Sequence, residues 1–220
     1  MMLDYQNQKK WNSELDPWQS PIKLDLKMAE QVKLAAQPLQ AETSYQFTSI
    51  EHRGNNLQFN GSGRIRLLGR SFIFKQLHFH FPAEHYLNEH QFPCEWHFVH
   101  QDAIGHLAVI AFTVKIGDEM LSLNPFYQAF NLAEGQKTNF FAELDLATML
   151  AGQKEGFYNY LGSLTTPPLT RGVEWWVATT PLSATSEQLE RLAQLFSSAN
   201  ARDCQPLLKR PIKLYAAQKH

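Results

Sequence analysis

The chain holds 220 residues, 44% of them hydrophobic, enough to enclose a substantial core in one domain of generous size. Its 20 basic and 21 acidic residues leave a formal charge of −1, which gives no electrostatic reason to expect nucleic acid or an anionic membrane as partner. No apolar run approaches the ~20 residues that span a bilayer, and Met1 to Trp11 lacks the apolar stretch of a secretory signal.

Residues up to about 45 are polar with short apolar patches. Pro17 and Pro21 predict an extended, non-helical connector over Asp16-Pro17-Trp18-Gln19-Ser20-Pro21-Ile22. Strand signals dominate from Tyr45. Leu57 to Phe59 and Arg64 to Leu68 flank Asn60-Gly61-Ser62-Gly63, a turn-like cluster. Phe72 to Phe81 is expected as a long strand, with Phe72, Phe74, Gln76, His78 and His80 on one face. Ile73, Lys75, Leu77 and Phe79 then occupy the other face. Glu95 to His100 is the next strand, with Glu95, His97 and Val99 sharing a face. Leu107 to Ile116 is a continuous apolar run, expected as a central strand buried on both sides. Residues 118–152 mix short helical stretches with Pro125. Val173 to Ala178 reads as a strand. Thr185 to Phe196 places Leu189, Leu192, Leu195 and Phe196 at helical spacing, and Thr185 with Gln188 forms a candidate capping box. Pro211 to Tyr215 closes the series as a final strand. The resulting expectation is a mainly β (α+β) fold: one domain over 1–220 with a large central, mostly antiparallel twisted sheet and short peripheral helices.

The chemistry concentrates in three histidines. Side chains at i and i+2 of a strand share a face, so His78 and His80 point the same way. A neighbouring antiparallel strand brings His97 to the same point. Three neutral imidazoles suit Zn²⁺ and leave its fourth tetrahedral position open, as catalytic zinc sites do. A lone His-x-His is as well read as a metal-free pair. Here Gln76 stands two residues before His78, and Glu95 two residues before His97, where each can orient a ring through its second nitrogen. A further motif, Gly162-Ser163-Leu164-Thr165-Thr166-Pro167-Pro168, is a rigid loop able to present a threonine hydroxyl to a cavity. Cys94 and Cys204 form no CxxC motif and are expected as buried or idle thiols, with a single bridge between them left open.

Taken together these residues resemble the alpha class of carbonic anhydrases. The matching segments are Gln19-Ser20-Pro21-Ile22, Gln76 to His80, Ala83-Glu84-His85, Glu95 to His100, Tyr158 and Tyr160, Gly162 to Leu169, Trp175 and Gln205-Pro206-Leu207, in family order. The resemblance implies reversible hydration of CO₂ to bicarbonate and a proton, by attack of zinc-bound hydroxide, with a possible esterase side activity. It implies Zn²⁺ on His78, His80 and His97. Thr165 is then the gatekeeping threonine, donating to Glu84. Gln76, Glu95, Asn200, His85 and Tyr160 support the ligands and Glu84. Val99, Val109, Leu164, Thr166 and Trp175 form the substrate pocket. Sulfonamide and anion inhibitors are expected, and a monomer or homodimer. The other reading on the same fold is a non-catalytic binding module. Such modules typically lose metal histidines, and all three stand here.

The chain departs from the family pattern in places. Asn55 occupies the proton-shuttle position, where many members carry histidine, and an amide does not titrate near neutrality. Proton export is therefore expected to be slow, with His52 as a possible substitute relay. The aromatic N-terminal segment is reduced over residues 1–18, with Trp11 as its remnant. Tyr5 is poorly registered with the family's cavity tyrosine. Phe81-Pro82 replaces the usual Trp-Gly. Asp16 and Leu169 stand where secreted members carry a disulfide, which favours a reducing cytoplasm over the periplasm. His90, His100, His106 and His220 have no assigned chemistry.

Overall fold

A computed structural model describes residues 3–11, 17–34, 36–128, 130–196 and 198–216. Asp16 and His220 lie outside the described residues. Strands of the first half are β1 (Lys23–Leu24), β2 (Glu30–Lys33), β3 (Leu39–Ala41), β4 (Tyr45–His52), β5 (Leu57–Ser62), β6 (Arg64–Leu67), β7 (Arg70–His80), β8 (Tyr86–Leu87), β9 (His90–Gln91) and β10 (Cys94–Gln101). The second half adds β11 (Leu107–Ile116), β12 (Lys137–Leu144), β13 (Phe157–Ser163), β14 (Arg171–Ala178), β15 (Leu182–Ala184) and β16 (Lys213–Ala216). Among the described residues, two α-helices, α1 (Leu146–Ala151) and α2 (Ser186–Ala193), and two 3₁₀ segments, Tyr5–Lys10 and Leu121–Tyr127, lie around them.

Thirteen strands join in one sheet, whose main path runs β12-β4-β5-β7-β10-β11-β14-β13-β16-β2. Its pairings are antiparallel except for β11–β14, β11–β15 and β16–β2. The mainly β, mostly antiparallel architecture expected from the strand signals is therefore the one observed.

β11 shows why the sheet holds. Its residues Ala108 to Val114 are all buried. Ala108, Ile110, Phe112 and Val114 enter a large aromatic core, while Val109 and Ala111 enter a second cluster with Trp175 and Tyr160. A strand covered on both faces needs an unbroken apolar run, and this one has it. The large core is ring-rich: Phe59, for example, meets Phe79, Phe126 and Phe140 at centroid distances of 5.4, 5.4 and 4.9 Å. Such contacts between offset or tilted rings add to simple area burial. α2 is capped as expected, with Thr185 Oγ1 accepting from Gln188 N–H and Gln188 Oε1 accepting from Thr185 N–H.

Three local expectations are corrected. First, β7 does not keep one face throughout. Val99 pairs with Gln76, but His100 pairs with Phe74, so Lys75 is an extra residue in a β-bulge. The alternation changes phase there. Phe72 and Phe74 join Leu77 and Phe79 in the aromatic core, and His78 and His80 turn to the opposite side. Second, Asn60 to Gly63 is not a turn. β5 and β6 both pair with β7 nearly in line, and the chain reverses at Leu68-Gly69, both at positive φ. Gly61 serves close approach instead, since a Cβ there would lie 2.1 Å from the Gln46 carbonyl oxygen. Third, residues 118–152 contain an edge strand, β12, besides the short helical stretches.

Candidate metal centre

The register of β7 against β10 builds the centre. His97 is the direct cross-strand partner of His78, and Glu95 that of His80. Opposite residues of an antiparallel pair share a face, so the three imidazoles converge. Ring centroids are 4.9 Å apart for His78–His80, 5.2 Å for His78–His97 and 4.6 Å for His80–His97. All three side chains are buried.

One nitrogen of each ring is already engaged. His78 Nδ1 donates to Gln76 Oε1 at 2.8 Å. His80 Nδ1 donates to the Asn200 carbonyl oxygen at 2.7 Å. His97 Nε2 donates to Glu95 Oε1 at 3.0 Å. These partners accept hydrogen bonds, which assigns the proton to the outer nitrogen of each ring. The inner atoms, His78 Nε2, His80 Nε2 and His97 Nδ1, are then lone pairs. His78 Nε2 and His80 Nε2 lie only 3.0 Å apart. Two facing lone pairs at that distance repel unless a cation lies between them. Burial also holds the rings neutral: it pushes His78 well below the usual histidine range, aided by His80 and His97, and brings His80 to about 4. His97 is likewise lowered, by burial first, against the opposing pull of Glu95. Three uncharged nitrogen donors, each fixed by its other nitrogen, fit Zn²⁺.

Glu95 anchors the surrounding network. Its Oε1 also accepts from His85 Nδ1 at 2.6 Å, and its Oε2 accepts the backbone N–H groups of Glu84 and His85, both at 2.8 Å. Burial alone would raise its pKa, but His85, His97 and their hydrogen bonds outweigh that and hold it well below the carboxylate range. His85 Nε2 pairs with Tyr160 Oη at 2.8 Å, and the Tyr160 hydroxyl donates to Ser20 Oγ at 2.9 Å. Ser20 N–H in turn donates to Ser163 Oγ at 3.0 Å. A chain of hydrogen bonds thus ties the N-terminal Gln-Ser-Pro motif to His97.

Glu84 is fully buried beside the rings. Its Oε1 accepts from Arg202 N–H at 2.8 Å and lies 3.3 Å from His80 Nδ1. Its Oε2 makes no hydrogen bond within 3.5 Å, although the Thr165 hydroxyl is near enough to favour the charged form. Burial raises the pKa of this carboxyl to about 7, against the opposing pulls of His97, Arg202 and Thr165.

A cavity of about 600 Å³ opens over His78 and His97. His78, His97 and Thr165 line it, together with the five residues matched to the substrate pocket: Val99, Val109, Leu164, Thr166 and Trp175. Asn55 also lines it. Its amide is engaged with the Leu3 backbone, Oδ1 accepting from Leu3 N–H at 2.6 Å and Nδ2 donating to Leu3 O at 3.0 Å. His52 is not brought to the cavity. Its buried ring lies against Phe196, and Nε2 pairs with the Leu195 carbonyl oxygen at 3.2 Å. The reason is its place at the end of β4, which sets its ring against the residues just past α2. Tyr5, unplaced from sequence, does line the cavity. Cys94 and Cys204 are free thiols, so no bridge forms between them.

Sequence reasoning missed Arg202. Its Nη1 donates to Gln19 Oε1 at 2.9 Å and to Ser20 O at 2.6 Å while its backbone holds Glu84. No local pattern announces it, because those partners lie more than a hundred residues away. Gln19-Ser20 was legible only as a motif, and its task is now plain.

A β-sheet protein whose central strands present three buried, tautomerically fixed imidazoles to a cavity has the ligand set of a metal-binding protein. The eukaryotic-type carbonic anhydrase family matches residues 6–216, and this chain belongs to it. A carbonic anhydrase of Pectobacterium atrosepticum is 34% identical over 197 residues, 86% of this chain and 76% of that protein. Alpha carbonic anhydrase 7 of Arabidopsis thaliana is 31% identical over 90% of this chain and 74% of its own length. Among solved structures, the alpha-carbonic anhydrase of Thermovibrio ammonificans in complex with sulfanilamide shares 32% identity at a TM-score of 0.80. It covers 89% of this chain and 86% of its own.

Proposed function

We propose that this chain hydrates CO₂ reversibly to bicarbonate and a proton, using Zn²⁺ held by His78 Nε2, His80 Nε2 and His97 Nδ1. The observation that carries this reading is the convergence of three lone pairs beneath a cavity walled by Val99, Val109, Leu164 and Trp175. A zinc ion held by these three histidines would supply an acidified water, and so a nucleophile for CO₂ near neutral pH.

The remaining roles belong to the chain's own side chains. Apolar walls favour a small, uncharged, linear substrate over bulk water. Thr165 lies beside Glu84, whose carboxylate accepts the hydrogen bond from its hydroxyl. The Thr165 oxygen is then left as an acceptor that aims the attacking group at the substrate carbon, an orientation effect. Glu84 keeps that polarity because Arg202 N–H steadies its other oxygen. Thr166, on the same wall, meets the product anion. Asn55 relays no proton, since its amide does not titrate near neutrality and is occupied by Leu3. His52 faces elsewhere. Proton export therefore falls to bases in solution. Aromatic sulfonamides are expected to bind the metal within the same cavity, and activated esters to be hydrolysed slowly.

Stopped-flow hydration of CO₂ by the zinc-loaded protein tests the reading. Activity is expected in weakly basic buffer, rising severalfold when imidazole is added. Absence of hydration under both conditions would refute the function, and an imidazole-independent rate would refute the export defect.

A further inference from the structure

Residues 3–11 run beside the metal cavity, and deep apolar burial does not hold them there: the 3₁₀ segment Tyr5–Lys10 contains no fully buried residue. Hydrogen bonds from side chains to backbone do the holding. The Asn55 amide behaves as a peptide group does in a strand ladder, accepting from Leu3 N–H and donating to Leu3 O. A second fastening comes from Gln8, whose Nε2 donates to Ala201 O at 3.1 Å and whose Oε1 accepts from Asp203 N–H at 2.8 Å. Asp4 caps the segment by accepting from Gln6 N–H at 3.1 Å. The Tyr5 and Trp11 rings meet edge to face at 4.9 Å.

The fastened segment has a consequence for the cavity. Leu3 and Tyr5 become part of its wall. Tyr5 also lines a second cavity of about 570 Å³ that reaches Tyr86 and Cys204, so it borders both. Partial enclosure between the two cavities, with a contribution from Glu84, raises the Tyr5 phenol above its ordinary pKa, and it stays neutral. Asn55 is itself well anchored. Its carbonyl oxygen accepts from Asn200 Nδ2 at 2.7 Å, and the Asn200 carbonyl holds His80.

We propose that Asn55 is a positioning residue which fastens residues 3–11 as a strap beside the metal cavity, and that this strap restricts entry of the bases that collect the proton. The kinetic half rests on the proposed hydration activity; the structural half does not. Histidine at this position exchanges the clamp for a relay, so Asn55→His alone does not isolate either effect.

The test compares zinc-loaded wild type with Asn55→Ala, Asn55→Asp, a truncation lacking residues 1–5, and the truncation combined with Asn55→Ala. Hydrogen exchange of the peptide covering residues 1–11 is expected to accelerate about tenfold in Asn55→Ala, as loss of two such bonds implies. Asn55→Asp keeps the acceptor but loses the donor and should fall between. Peptides of β7 and β10 should exchange as in wild type, which separates release of the strap from unfolding. In hydration assays, the imidazole concentration giving half-maximal acceleration should fall severalfold in Asn55→Ala and in the truncation, at an unchanged maximal rate. The combined variant should match the truncation alone, because both remove one device. Unchanged exchange of residues 1–11 in Asn55→Ala overturns the clamp whether or not the protein hydrates CO₂. Additive effects in the combined variant overturn the link between clamp and access.

Discussion

Single side chains set both the chemistry and its limits. Thr165→Val removes the hydroxyl beside Glu84 while keeping the shape of the wall. Zinc content should be unchanged and kcat/KM for hydration should drop about a hundredfold, the scale of one lost orienting hydrogen bond. A drop of less than twofold would remove Thr165 from the mechanism. A second residue-scale effect involves His100, which lies in the core against Tyr45, its Nε2 2.7 Å from Tyr45 Oη. Burial lowers its pKa to about 3. An unfolded histidine titrates near 6.5, so the unfolded chain binds the extra proton first as pH falls. The stability from neutral His100 is present above that value and is lost as pH drops from about 6.5 toward 3, roughly 2 kcal/mol by pH 5. Urea unfolding at pH 7 and pH 5 should show that loss in wild type and a smaller one in His100→Gln. Equal pH dependence in the two proteins would assign the effect elsewhere. Residues of this kind differ in legibility. His78 and His80 declare themselves because face-sharing at i and i+2 is a local rule. Arg202 and Tyr5 do not, because their contacts come only from the finished fold.

Elements of secondary structure decide where those side chains point. The apolar run of β11 and the capping box of α2 are written in consecutive residues, and both stand as read. The face of β7 was misread because a bulge is a backbone irregularity that Lys75 does not advertise. Asn60 to Gly63 misled for a related reason: glycine can mark a close approach inside a sheet as well as a turn. Gly162, in β13, carries that logic to the site. A Cβ there would lie 2.1 Å from Ser20 Oγ, the acceptor of the Tyr160 hydroxyl. Gly162→Ala should displace Ser20 and loosen the chain from Tyr160 through His85 and Glu95 to His97. Zinc affinity, measured by competition with a chelator, is expected to weaken about tenfold, as loss of an outer hydrogen-bond shell does. Wild-type affinity in this variant would show that the Ser20 end of the network does not reach the metal.

At the scale of the molecule, one sheet lets segments from residue 3 to residue 203 meet around a single point. β7 and β10 carry the rings, the Gln19-Ser20 segment and Arg202 steady the network behind them, and Leu3 and Tyr5 add to the cavity wall. The overall β architecture followed from strand signals, and the centre from its histidines and the family resemblance. The long-range bracing did not, since each brace pairs residues that no window of sequence contains. Zinc should also act on the whole fold: binding only to the folded chain, it must raise the melting temperature as its free concentration rises above Kd. The most direct measurement is metal content and CO₂ hydration on one sample, before chelation, after chelation and after zinc is restored. The account predicts one zinc per chain, hydration that disappears with the metal, and hydration that returns with it. Less than stoichiometric zinc after reloading, or hydration that survives complete removal, would contradict it.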